Sequence, residues 1–169
     1  MKYFTSDTHF GHTNVIKYEN RPFETVEEMD EALIKNWNQK VKANDEVYIL
    51  GDFSFYKAEK TMDILKRLNG KKYLIRGNHD YYLDDKNFDK TLFESINDYL
   101  SIKDNKNIIC MFHYPIAVWD RMHYGSIHLY GHIHSKMELV DYKEKLAFNV
   151  GCDVNNYEPI TLDELIKKK

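Results

Sequence analysis

Five short apolar runs in this chain each stop at a cluster of polar, metal-competent side chains, and that repeated ending limits the possible folds. The runs are Met1 to Thr5, Glu46 to Leu50, Lys72 to Arg76, Ile108 to Phe112 and Ile127 to Tyr130. The endings are Asp7-Thr8-His9, Gly51-Asp52, Gly77-Asn78-His79-Asp80, His113 and Gly131-His132-Ile133-His134. Apolar runs of this length read as buried strands. In open α/β sheets, ligands bind at the carboxyl ends of the strands, where side chains from distant positions converge. The expected class is therefore α/β, with a site at one sheet edge.

Helical signals alternate with the strands. Thr25 to Val41 carries Val26, Met29, Leu33, Ile34, Trp37 and Val41 at helical spacing, with Thr25 and Glu28 placed as a capping box. A second helix is expected over Ala58 to Leu68, with Gly70 just beyond its end. Met137 to Tyr142 and Leu146 to Val150 read as a hairpin, and a last short helix is expected behind Thr161 and Glu164. With 169 residues and no linker, repeat or low-complexity tract, residues 1–169 read as one domain.

Composition narrows the function. A net charge of −3 gives no global basic field, so nucleic acid is a possible partner that charge does not indicate. Two cysteines, Cys110 and Cys152, are too few for a disulfide framework and lack paired metal spacing. No apolar run approaches the length of a membrane span, and the first residues lack the apolar core of a signal peptide. A cytoplasmic protein with no membrane association is expected. The count of eight histidines directs attention to metal chemistry.

In Asp7-x-His9 and His132-x-His134, a single intervening residue would put both side chains on one side of an extended backbone, as two ligands of one ion require. The glycines before Asp52, Asn78 and His132 would allow tight turns as the chain leaves each strand. Oxygen and imidazole ligands without thiolate suit Mn, Fe, Zn or Ni. Asp7, His9, Asp52, Asn78, His113, His132 and His134 are too many for one tetrahedral ion. Two divalent ions sharing a carboxylate would use them all.

This series, D-x-H, G-D, G-N-H-D, H and G-H-x-H in order, resembles that of the calcineurin-like metallophosphoesterases, in the manner of small members without a capping domain. The blocks run from Asp7 to His134. The resemblance implies a four-layer αββα sandwich, two mixed sheets face to face with helices outside. It implies that Asp7, His9 and His134 hold one metal and Asn78, His113 and His132 the second, with Asp52 bridging and Mn the expected ion. It further implies a phosphoester substrate attacked by a hydroxide bridging the metals, with Asp52 and His79 as catalytic residues and His79 giving a proton to the leaving oxygen or anchoring the phosphoryl oxygens. Relatives often carry an Asp or His three residues after the bridging Asp to orient that histidine; here Phe55 stands there, leaving Asp80 as the candidate.

Without room for a cap, the cleft must come from the loops Phe10 to Glu24, Tyr81 to Lys90 and Tyr114 to Gly125. His12, Arg21, Asn78 and Arg121 are the candidate substrate-binding residues, and Tyr81, Tyr82 and Trp119 could stack on a base. For His12, substrate contact and simple turn structure stay equally open. His123 reads as a loop residue, His128 as packing inside a strand, and Asn149, Gly151 and Asp153 as a strand-ending turn or a support for the metal loops. A shallow cleft favours a phosphodiester, such as a nucleotide, cyclic nucleotide or nucleic-acid end. A phosphomonoesterase and a noncatalytic metal-binding scaffold are the alternatives, and oligomeric state is not encoded in these features.

Overall fold

The computed structural model describes residues 1–136, 142 and 146–168. In chain order its elements are β1 (Lys2–Thr5), α1 (Thr13–Tyr18), α2 (Val26–Lys40), β2 (Glu46–Ile49), α3 (Ala58–Arg67), β3 (Lys71–Ile75), β4 (Ser95–Asn97), β5 (Tyr99–Asp104), β6 (Asn107–Phe112), β7 (Ile127–Tyr130), β8 (Ala147–Asn149) and α4 (Leu162–Lys168). They form two four-stranded sheets, β1-β2-β3-β4 and β5-β6-β7-β8. Every ladder of the first sheet is parallel, where a mixed sheet was expected. The second is mixed, because β5 and β6 form an antiparallel hairpin while β6-β7 and β7-β8 are parallel.

The period-2 alternation of strand side chains builds the layers. From the first sheet, Tyr3, Val47, Ile49 and Leu74 face Met29, Leu33 and Trp37 of α2 and Ile64 and Leu65 of α3. Their neighbours Phe4, Tyr48, Leu50 and Ile75 face inward to Ile109, Met111, Ile127 and Leu129 of the second sheet. The outer face of that sheet, Cys110 and Tyr130, is covered by Trp119, Met122 and Tyr142 instead of an α-helix among the described residues. Helix α4 puts Leu162 and Leu165 into the layer between the sheets.

The cap at Thr161 and Glu164 is reciprocal, whereas at Thr25 the Glu28 carboxylate accepts from the Glu24 amide at 2.8 Å instead of from that of Thr25. Thr25 Oγ1 accepts from the amide of Glu28 at 3.2 Å. Thr161 and Glu164 cap each other's amides at 2.8 and 3.3 Å. Residues 137–141 and 143–145, and with them most of the expected hairpin before β8, lie outside the described residues.

The two sheets are joined at the edge where their polar endings lie. A parallel bridge pairs Ser6 with Gly151: Ser6 N donates to Val150 O at 3.1 Å and Cys152 N donates to Ser6 O at 3.0 Å. Within each sheet the strand endings are also tied to their neighbours, Asp7 N donating to Gly51 O at 3.0 Å in the first and Gly131 N to His113 O at 2.9 Å in the second. The segments leaving β1, β2, β6, β7 and β8 are thus held together at one edge.

Candidate metal centre

Two ligand groups lie at this edge. Asp7, His9 and His134 form one, and Asp52, His113 and His132 the other, each with its ligand atoms within 4.8 Å of one another. Asp52 lies between them, its Oδ2 3.7 Å from His9 Nε2 and 3.5 Å from His113 Nε2. Asn78 adds its Oδ1 3.1 Å from His113 Nε2.

The backbone that presents these groups is not extended. Asp7, His9, Asp52, His132 and His134 have φ of 55°, 54°, 51°, 69° and 51°. The expectation of two ligands on one side of an extended strand is therefore corrected. His132 and His134 belong to different groups, because each sits in a left-handed turn that swings its side chain independently of its neighbour. Such a conformation costs about 1–3 kcal/mol per non-glycine residue and persists only where its surroundings enforce it. Bonds to neighbouring segments enforce it here: His9 N donates to Asp52 O at 3.1 Å within the edge of the first sheet, and His132 N donates to Asp7 Oδ2 at 2.9 Å between the two sheets. Of the glycines, Gly51 does adopt φ +85°. At Gly77 and Gly131 the reason is close approach, since a Cβ would collide with Asp52 and with Ser6 and Asp7 respectively.

A cation fits the donor set. Asp7 Oδ1 and His9 Nε2 are buried without a hydrogen-bond partner among the described residues. A buried carboxylate oxygen and imidazole nitrogen left this way would cost several kcal/mol, and a divalent ion satisfies both. The other atoms of these ligands are committed to aiming them. Ser6 Oγ donates to Asp7 Oδ2 at 2.6 Å, His113 Nδ1 donates to Leu50 O at 2.7 Å, and His134 Nδ1 lies 2.7 Å from Asp153 Oδ2. Each contact on Nδ1 turns the opposite ring nitrogen, Nε2, toward the site, a recurrent arrangement around metal-binding histidines.

Charge is concentrated to match. Burial disfavours the imidazolium of His113, but Asp52 and Asp7 more than offset it and hold its pKa up at about 9. Burial raises the Asp7 carboxyl, yet the imidazoles of His9, His113 and His134 bring it below the ordinary value. His12 is driven down to about 4 by burial and by the neighbouring His9 and His79.

Several sequence expectations land elsewhere. Arg21 is 4% exposed and cannot reach a substrate, since its guanidinium is consumed inside the protein. It donates to Asp153 at 2.7 and 3.0 Å, to Thr8 O at 2.9 Å and to Asp7 O at 2.7 Å. One buried cation thereby ties the loop carrying Asp7 and His9 to the aspartate that orients His134. Arg121 faces a separate hollow with Lys106, Ile108 and Tyr124, away from the ligand groups. Tyr82 and Trp119 are buried at 3% and 6% and present no stacking face. His128 is buried against Trp119 and hydrogen-bonds Cys110 O, as a packing residue should, and His123 is exposed on a short 3-10 turn.

Asp80 does not orient His79. Its carboxylate accepts from the amides of Asp52, Phe53 and Gly77 at 3.1, 2.8 and 2.7 Å, so it fixes the turns that carry Asp52 and Asn78. The His79 amide donates to Asp52 Oδ1 at 2.8 Å. Its ring, without a hydrogen-bond partner among the described residues, lines the cleft beside Phe55 at 4.9 Å. Phe55 in turn stacks on His12 at 4.0 Å and on His9 at 5.0 Å. The cleft is open and about 670 Å³ in volume, with His9, His12, Asp52, His132 and His134 among its lining.

Two residues that the sequence left open between a strand-ending turn and a support for the metal loops act as braces. Asp153 supports His134, and Asn149 Nδ2 donates to His134 O at 2.8 Å. Their signal was their place just after an apolar strand, which equally fits a plain turn.

Comparison with known proteins agrees with this geometry. The family described as Calcineurin-like phosphoesterase matches residues 3–119. An uncharacterized protein, MJ1445, of Methanocaldococcus jannaschii is 39% identical over 98% of this chain and 89% of its own length. The Gene 66 protein of Mycobacterium phage L5 is 28% identical over 89% of this chain and 86% of its own. Among solved structures, a protein of unknown function, AQ665 from Aquifex aeolicus, superposes with a TM-score of 0.80 at 28% identity, covering 100% of this chain and 99% of that one.

Proposed function

The chain belongs to the calcineurin-like phosphoesterase family, hydrolases of phosphoester bonds, and from that premise we propose that it cleaves phosphodiesters at two divalent cations, with manganese the expected ion and the cytoplasm the expected location. Asp7, His9 and His134 would hold one cation, Asn78, His113 and His132 the other, and Asp52 would serve both. The observation that carries this reading is the position of Asp52 Oδ2, within 3.7 Å of a ligand nitrogen of each group. Bound there, two such ions would clamp phosphoryl oxygens and acidify the attacking water.

The chain's own groups supply the rest. His79 projects an imidazole into the cleft without a hydrogen-bond partner among the described residues, so it can hand a proton to a departing oxygen. Diesters are favoured because the cleft is open and Lys136 is the one lysine or arginine in its lining among the described residues. That lysine already lies 3.5 Å from Glu19 Oε1. Little fixed positive charge is left for the second negative charge of a monoester, while a singly charged diester needs less.

The test compares bis-p-nitrophenyl phosphate with p-nitrophenyl phosphate on the manganese-loaded protein. The expected result is a kcat/KM at least about tenfold higher for the diester, a difference of about 1.4 kcal/mol in transition-state stabilisation. Faster turnover of the monoester would overturn the diester preference.

A further inference from the structure

Exposed aromatic side chains gather round the candidate metal centre. Six are exposed among the described residues, and four of them, Tyr18, Phe55, Tyr81 and Tyr114, have ring contacts with imidazoles of the centre or beside it. Tyr18, 68% exposed, meets His12 edge-on with ring centres 6.2 Å apart. Tyr81, 67% exposed, meets His79 edge-on at 6.0 Å. Phe55 lies against His9, His12 and His79, and Tyr114 lies 4.5 Å from His132 and 4.9 Å from His113. The remaining two, Tyr99 and Tyr124, have no ring contact with the site.

Exposed apolar residues scattered singly need no explanation, whereas a concentration at a polar site does. The four rings fall on both sides of the ligand groups. Tyr18 and Phe55 border the side of His9, and Tyr114 borders the side of His113 and His132. A phosphate lying over Asp52 would therefore have aromatic surface in both directions. The cleft lining itself offers the rings of Tyr18 and Phe55 and almost no additional cation, with Tyr81 and Tyr114 outside it, against the imidazoles of His79 and of His132 and His113. That is poor recognition for a polyphosphate and good recognition for flat, uncharged rings on either side of one phosphate, since every nucleobase presents a π-face.

We propose that these four residues form a two-sided base-stacking collar, so that the substrate class is an internucleotide phosphodiester with a nucleobase on each side of the scissile phosphate. The assignment rests on the phosphodiesterase reading and deepens it by naming what flanks the phosphate. A dinucleotide and the end of a single strand share this chemistry.

Two esters with the same leaving group isolate the ring. Thymidine 5′-(p-nitrophenyl phosphate) carries a base and methyl p-nitrophenyl phosphate does not, and the readout is the ratio of their kcat/KM values on the manganese-loaded protein. The expected ratio is about ten or more, falling roughly fivefold or more in the Tyr18→Leu/Tyr81→Leu double variant, mainly through KM. Tyr124→Leu, at an exposed ring away from the site, should leave it unchanged. A ratio near one in the parent protein, or one untouched by the double variant, overturns the collar while leaving phosphodiester hydrolysis standing.

If neither ester is hydrolysed, the phosphodiesterase reading fails, and a dinucleotide containing 2-aminopurine decides the collar on the metal-free protein. Quenching that is lost in the double variant supports it; absence of quenching in the parent protein overturns it. A single-stranded dodecamer should bind about as tightly per site as the dinucleotide. A steep gain with length would assign recognition to backbone charge and overturn the two-ring assignment.

Discussion

Arg21 and Asp153 form a buried pair whose removal should be felt both in stability and in metal binding. The Arg21 side chain is fully buried and that of Asp153 is 2% exposed. Burial raises the Asp153 carboxyl, but His134 and Arg21 outweigh it and hold it below the ordinary carboxylate range. Arg21→Met removes two charge-assisted bonds and strands a buried carboxylate with His134 as its remaining strong partner. Breaking such a pair from one side costs about 3–5 kcal/mol, most of it the penalty of the charge left behind. Two carbonyls, Thr8 O and Asp7 O, also lose a donor, which puts the expected loss near the top of that range.

Asp153→Asn strands the guanidinium instead, and the double variant strands neither. In urea denaturation of the metal-free proteins, the double variant should therefore be less destabilised than the sum of the singles by about 2–3 kcal/mol. Both single variants should also bind manganese about 10–100-fold more weakly, because Asp153 aims His134. Arg21→Lys keeps the charge but not the fork geometry, and should fall between parent and Met. Additivity of the two single losses to within about 0.5 kcal/mol would refute the claim that this pair is one energetic unit.

Three other outcomes follow from specific contacts. His79→Ala should retain metal, because the bond to Asp52 comes from its backbone amide, and should lose about 10²–10⁴ in turnover, read by kinetics alongside metal content. Gly131→Ala should keep the fold by circular dichroism yet bind manganese at least about tenfold more weakly, since the new Cβ would collide with Ser6 and Asp7. His128 is fully buried, and burial lowers its pKa to about 4 from an ordinary value of 6.5. With the folded value depressed, its contribution is intact above pH 6.5 and is lost as pH falls through about 4, a change of about 3 kcal/mol. Denaturation of His128→Phe and parent between pH 7 and 4 should show the parent losing its advantage by that amount; parallel curves would contradict this.

The sequence carried the strands of the buried sheets and the ligands at their ends because both signals are local. A run such as EVYIL needs no partner to look buried, and Gly-His-x-His needs none to look like a metal ligand. Three elements were missed for a related reason. Strand β5 is an edge strand in which only Leu100 and Ile102 pack against the inter-sheet core, so its alternating pattern is diluted by exposed Tyr99, Ser101 and Lys103. Strand β4 has three residues, and α1 has six with no side-chain cap.

Arg21 shows the limit more sharply. A lone arginine in a loop that borders a phosphate site reads as a phosphate contact, and only the fold brings Asp153, 132 positions away, to its guanidinium. The left-handed backbone at five ligands was likewise hidden: Asp and His enter this region more readily than most residues but still in a minority of cases, and here it is held by hydrogen bonds to distant segments that local sequence does not contain.

The central claim is that hydrolysis requires both ligand groups filled, with Asp52 shared between them. The direct measurement titrates manganese into the metal-free protein while following hydrolysis of bis-p-nitrophenyl phosphate and bound metal in the same samples. Turnover should rise chiefly as the second equivalent binds and level off at two per chain. Full activity at one equivalent, or without metal, would contradict the account.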